Sequence, residues 1–191
     1  VYGTGVKMPV GFVTRLAASS QPAWWGPHQG DFTDLAARNI LKLNLGASSG
    51  EVFFTGLISA PAVAKPNYST GEPVWIMNRK THMDIMCKAL NFSAAGALVA
   101  GMQGTMPIIG GTIVELEFMA DYDIAGGYLS LELWAERSGT NIASSDIPMF
   151  IEDMTVFKAT QRYDGKPVRG EAFVLVNYNN ADPQKTVTFE P

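Results

Sequence analysis

Carboxylates are the most concentrated reactive groups in this chain: Glu115, Glu117, Asp121 and Asp123 fall within one short stretch. Paired carboxylates at a suitable separation do general acid–base work on a glycosidic bond, and a denser group binds Ca²⁺ or Mg²⁺. Glu115 and Glu117, however, are the polar phase of an alternating strand, Thr112 to Phe118, and no glycine-spaced calcium loop surrounds Asp121 and Asp123. They read as a solvated face or a subunit contact. His28, close to Asp31 and Asp34, offers a second donor set, but the 2 histidines, His28 and His82, share no metal-ligand spacing. Neither has a nucleophile beside it that would make a Ser–His or Cys–His pair. Trp24-Trp25-Gly26-Pro27 has the residues of a sugar-stacking platform and equally those of a protein interface, where a flat ring buries a large area. Gly3-Thr4-Gly5 lacks the lysine and the strand-to-helix setting that a phosphate loop needs. No catalytic group, cofactor or metal is expected.

The elements that must position these groups form a pattern of mixed type, α+β, with helices in the first half and strands in the second. Val1 to Ala18 is punctuated by glycine and leans to β. Asp31 caps a helix carrying Leu35, Ala36, Ile40 and Leu43, and Ser48 with Glu51 starts another that runs towards Pro61. Val74-Trp75-Ile76-Met77 is a short buried strand, followed by an amphipathic helix from Arg79 to Leu90. Cys87 lies on that helix and is expected to be a small buried hydrophobe. Further strands are expected at 112–118 and 128–134. A final pair, 155–163 and 172–178, is joined by the turn-like Asp164-Gly165-Lys166-Pro167.

At 191 residues the chain fits the roughly 100–200 residues of one domain, and 47% hydrophobic residues are ample for a core. Charged residues are only 17%, a sparse surface that suits an oligomer. The net charge of −4 and the absence of any basic run argue against independent nucleic-acid binding. No apolar run approaches the roughly 18 residues of a membrane span. The single cysteine cannot form an internal disulfide and suits a reducing cytoplasm.

Five blocks in order carry a resemblance. They are Gly3-Thr4-Gly5 with Pro9-Val10-Gly11; Val74 to Met77 with Asn78-Arg79 and a helix; and Met106-Pro107-Ile108-Ile109-Gly110-Gly111. Gly126-Gly127-Tyr128 with Arg137 follows, and last Phe150 with Arg162-Tyr163-Asp164-Gly165 and Glu171-Ala172-Phe173. In this order they resemble the major capsid proteins of tailed bacteriophages, those of the Hong Kong ninety-seven fold.

The resemblance implies a structural subunit, not an enzyme, that assembles with copies of itself around DNA in the virion of a phage or prophage, after synthesis in the bacterial cytoplasm. Portal or scaffold proteins would be its other partners, with no specific nucleic-acid binding and no membrane. It implies an axial-type domain over 1–148 and the last strand pair of the peripheral domain, with a polar tail, over 149–191. The family's N-terminal arm, extended loop and spine helix would lie upstream, making this a C-terminal portion that does not build a shell alone. Trp24, Trp25, Arg162 and Asp164 are the interface candidates. Some members seal their shells by a Lys–Asn isopeptide bond; the position matching the Asn, three after Phe150, is Asp153, and the assisting acid is replaced by Thr160. A carboxylate lacks the amide leaving group, so that chemistry is not expected. Two alternatives stand beside this reading. One is an encapsulin-type shell, and the other a carbohydrate-binding or hydrolytic domain using Trp24, Trp25, Glu115 and Asp121.

Overall fold

Phe173-Val174-Leu175-Val176 is apolar at every position, which is what a strand covered on both faces requires. In the computed structural model, which describes residues 1–5, 7–17, 35–48, 50–67, 71–92, 104–145 and 147–186, this run is β7 (Phe173–Asn177), all of it buried. It lies in a five-stranded mixed sheet of order β1-β7-β4-β2-β3. The other strands are β1 (Ile40–Lys42), β2 (Val74–Met77), β3 (Thr112–Glu115) and β4 (Asp123–Gly127). β7 runs parallel to β1 and antiparallel to β4, while β2 runs antiparallel to β4 and parallel to β3.

Because side chains alternate across a strand, the sheet feeds two cores. Trp75, Met77, Ile124, Val174 and Val176 pack against helices α3 (Gly50–Leu57), α4 (Ser59–Val63) and α5 (Arg79–Phe92). Ile76, Ala125, Phe173 and Leu175 belong to the opposite core, with α1 (Phe12–Ala17) and with Leu35 of α2 (Leu35–Asn39). There Phe12 stacks on Phe173 at 4.7 Å between ring centroids. Each such side chain contributes about 1.5–3 kcal/mol by leaving water.

Helix α5 begins where the sequence pointed. Asn78 caps it, its Oδ1 accepting from the Thr81 N–H at 2.8 Å, and its side-chain NH₂ donates to Met119 O and to Asp121. Lys88 on this helix is buried and donates to the carbonyls of Gly46 and Ser48 at 3.0 and 2.9 Å, tying α5 to the chain entering α3. Cys87, expected inside, is exposed, because the helix turns Ile85, Lys88 and Ala89 inward instead.

Three other expectations change. The β-leaning start gives way to helix α1 once Gly11 has bonded back to Gly3 O at 2.8 Å. The helix expected through Leu43 stops at Asn39, and the chain becomes β1. Asn39 is fully buried there, with Nδ2 donating to Phe173 O at 2.8 Å, so docking onto the sheet overrides helical spacing. Asp31, its expected cap, lies outside the described residues.

The largest change concerns the last strand pair. Between β4 and β7, which are neighbours in the sheet, the chain leaves the body as an antiparallel ribbon of β5 (Glu132–Ser145) and β6 (Val156–Pro167). Asp164 to Pro167 is therefore not a turn but the root of β6. Gly165 O accepts from Val10 N at 2.9 Å, and Val168 N donates to Leu131 O at 2.8 Å, fixing the ribbon to the body. The strand at 155–163 pairs with β5 and not with β7. Alternation marks both runs as strands but carries no information about which edge each one joins. Residue 148, the expected boundary, falls in the 3-10 turn Ile147–Glu152 at the ribbon's tip.

Candidate assembly surface

The carboxylates do not converge on a site. Glu115, at the end of edge strand β3, is hydrogen-bonded through Oε1 to His82 Nδ1 at 2.6 Å. Asp121 is paired with Lys80 and Asn78, and these hydrogen bonds hold its carboxyl below the usual range. Asp123 is fully buried and faces the other way, towards β7 and the tail, bonding Asn177 and the Gln184 N–H. Burial raises its pKa despite those two bonds. Glu117 is exposed beyond the strand. Glu115, Asp121 and Asp123 thus each have a separate structural occupation, and among the described residues no group of His, Cys, Asp and Glu could hold a metal ion. The hydrolytic use of Glu115 and Asp121 requires a shared pocket, which this arrangement does not supply. Trp24, Trp25, His28 and Asp34 lie outside the described residues.

The ribbon is the surface that stands out. At about 3.3 Å per residue its strands reach roughly 40 Å from the body, and beyond the root they are exposed along their length. Cross-strand partners share a face, so the register sorts the side chains. One face carries Trp134 and Gly165, Glu136 and Tyr163, Ile142 and Ala159, Ser144 and Phe157. It is apolar and open: Trp134, Tyr163, Ile142 and Phe157 are 63%, 58%, 69% and 73% exposed. The Trp134 and Tyr163 rings approach to 6.1 Å, and Gln161 Nε2 donates to Glu136 at 2.8 Å on the same side.

The other face is polar, with Ser138 opposite Arg162, Asn141 opposite Thr160 and Ala143 opposite Lys158. The register shifts on either side of Ser138, a bulge that places Arg137, Lys158 and Arg162 around one open hollow of about 800 Å³. Arg162 makes no ion pair among the described residues. Asp164, nearer the root, accepts from its own neighbour Gly165 N at 2.8 Å and lines a hollow of about 230 Å³ with Gly5 and Val10. Ile147 and Ile151 at the tip are almost wholly exposed, beside Glu152 and Asp153.

A family model described as the phage capsid family matches residues 1–178. The chain belongs to the phage capsid family. Among solved structures it is similar to the capsid of a native GTA particle, with a TM-score of 0.61 at 21% identity over 93% of this chain. It is also similar to the capsid of an empty GTA particle, with a TM-score of 0.56 at 19% identity, again over 93% of this chain. These likenesses establish the fold as the α+β capsid type of the Hong Kong ninety-seven class. The chain spans 58% and 59% of the lengths of those two proteins. No curated protein matches it.

In this phage capsid chain, the two positions that the isopeptide chemistry would use fall in different parts of the ribbon. Asp153 is at the tip, with φ of 51°, and Thr160 is within β6, opposite Asn141. None of Trp134, Ile142, Phe157 and Tyr163 is among the interface candidates that the sequence offers. Their signal was there in the period-2 phasing of 156–163, in which Phe157 and Tyr163 fall opposite in phase to Lys158 and Arg162.

Proposed function

We propose that this chain is part of a structural subunit of a tailed-phage or prophage capsid, which self-assembles through its surfaces to enclose DNA in the virion. The observation that carries the reading is the ribbon's apolar face, which no described element of this chain covers. An isolated two-stranded ribbon is at best marginally stable in water, so one with four large exposed apolar side chains on one side is built to be covered. Family membership supplies the class of assembly in which such covering occurs.

The five-stranded unit is then the axial-type domain. The ribbon, 132–167, is the peripheral part inserted between two neighbouring strands of it, and Arg162 and Asp164 lie on its polar face and at its root. The partners are further copies of the subunit, with portal or scaffold proteins at specialised positions. The role is structural and not enzymatic, consistent with Glu115, Asp121 and Asp123 being engaged separately. An acidic wall also suits a container whose DNA must pack and leave freely.

Negative-stain electron microscopy of the gene product at its natural length tests this. Closed, uniform shells are the expected result. A protein that stays monomeric even with its scaffold co-expressed would overturn it.

A further inference from the structure

The ribbon separates its charges along its length. Its middle carries Arg137, Lys158 and Arg162, all exposed, and none forms an ion pair among the described residues. Its tip carries Glu152 and Asp153, also exposed and equally without an ion pair. The stretch of polar face between Ser138 and Ala143 contributes only neutral side chains opposite Arg162, Thr160 and Lys158, and Asp164, the acid nearer the root on that face, accepts from Gly165 N and forms no ion pair with Arg162. Glu136, the nearest acid in sequence to Arg137, is turned to the other face and occupied by Gln161.

The tip acids are not used by their own ribbon. Asp153 stands in the turn, with φ of 51°, and Lys158 lies inside β6. No ion pair joins Glu152 or Asp153 to Arg137, Lys158 or Arg162 among the described residues, although such a pair needs only contact within about 4 Å. The acids and cations are therefore complementary and both are open to another molecule.

We propose that the basic hollow around Arg137, Lys158 and Arg162 receives the acidic ribbon tip, Glu152 and Asp153, of a second copy of this chain. The contact rests on the capsid reading and gives it a specific subunit interface. Arginine suits the role, since its planar fork engages a carboxylate through two parallel hydrogen bonds. The bulge at Ser138 helps by opening the hollow in which a tip can sit. The exposed Ile147 and Ile151 bring apolar area to the same contact, so pairing of charge sets the register while burial adds affinity. Nucleic acid is the weaker match. Three phosphate contacts would give a salt slope of only about −3, on a chain whose net charge of −4 opposes the approach of DNA.

The test is a charge swap in the natural-length protein, read by sedimentation velocity for association and by electron microscopy for shells. One variant carries Lys158→Glu with Arg162→Glu, the other Glu152→Lys with Asp153→Lys. All four residues are exposed, so both variants should melt as the parent does. Each alone should need a concentration about tenfold higher or more to associate, as for lost charge complementarity at an interface. Mixed together, the two should associate like the parent, because every tip then meets a face of opposite sign on the other variant. Association of each variant at the parental concentration, or a mixture no better than its components, would overturn the contact whether or not shells form. Normal assembly of the first variant together with loss of duplex DNA binding at low salt would overturn it too, assigning the cations to phosphates. A parent that associates, and is rescued by the mixture, without ever closing shells would instead overturn the capsid reading alone.

Discussion

Asp123 and Asn177 are register partners on β4 and β7, and the Asn177 side-chain NH₂ donates to the Asp123 carboxylate at 2.6 Å. The second Asp123 oxygen accepts from Gln184 N at 2.7 Å, and Asn177 Oδ1 accepts from the N–H groups of Asn179 and Ala181. One buried pair thus holds the chain beyond the last strand against the sheet. Both carboxylate oxygens accept, so Asp123→Asn is not conservative here. Its new NH₂ would point at an existing donor. The expected cost is about 1–3 kcal/mol, measured by urea denaturation, with faster amide exchange at Gln184. Unchanged stability would mean that the pair is incidental to the fold.

Glu132 marks the point where the chain leaves the body for the ribbon. Its Oε2 is buried with no hydrogen-bond partner, and burial pushes its pKa up to about 7. A carboxyl whose pKa rises on folding holds its proton more tightly in the folded chain, so stability is full at low pH and falls as pH climbs towards 7. Wild type should be more stable at pH 5 than at pH 8. Glu132→Gln should reduce that difference by about 1 kcal/mol, the shift being discounted because the group is only part-buried. Thermal melts at the two pH values decide it: identical pH dependence in the two proteins would remove Glu132 as the cause.

Trp134 and Phe157 separate folding from assembly. Both are large, apolar and mostly exposed, so Trp134→Ser with Phe157→Ser should change the chain's own stability by less than about 0.5 kcal/mol. Shell formation by the natural-length protein should nevertheless fail, since the covered face loses its largest anchors. A parallel loss of thermal stability would show instead that these rings support the fold of the chain itself.

The parts of the fold that local chemistry dictates were legible in the sequence. Val74 to Met77, the Asn78 cap and helix α5 follow from apolar runs and a capping residue that act within a few positions. What was illegible is non-local. Nothing in 173–177 says that it will sit between β1 and β4, nor that the chain will travel out and back through 132–167 before reaching it. Asn39 shows why α2 is short: its amide bonds Phe173 O, a partner 134 positions away that no window around residue 39 contains. The ribbon's faces are half legible: the phase of Lys158 and Arg162 against Phe157 and Tyr163 is in the sequence, but which residues join them across the ribbon is fixed only by the pairing of β5 with β6.

Gly127 is where that excursion begins, and it offers the sharpest test of the topology. It has φ of 137° and lies opposite Phe173, so that the strand leading out to the ribbon and the strand returning from it are in contact there. A methyl group at Gly127 would lie 2.1 Å from Ala172 O and 2.8 Å from Phe173 Cα. Both neighbours are backbone, so neither can swing aside as a side chain would, and the φ itself is unfavourable for alanine. Relief requires β4 and β7 to separate at the root of the ribbon, where the sheet is buried on both sides. Gly127→Ala should therefore cost about 3 kcal/mol or more. Gly139, in the ribbon's bulge, is the control: a methyl group there meets nothing within 4 Å. Gly139→Ala should stay within about 0.5 kcal/mol of wild type. Chemical denaturation of the two variants side by side measures the contrast. Equal stabilities would mean that β4 and β7 are not packed backbone to backbone at this point, and that the ribbon does not spring from between them.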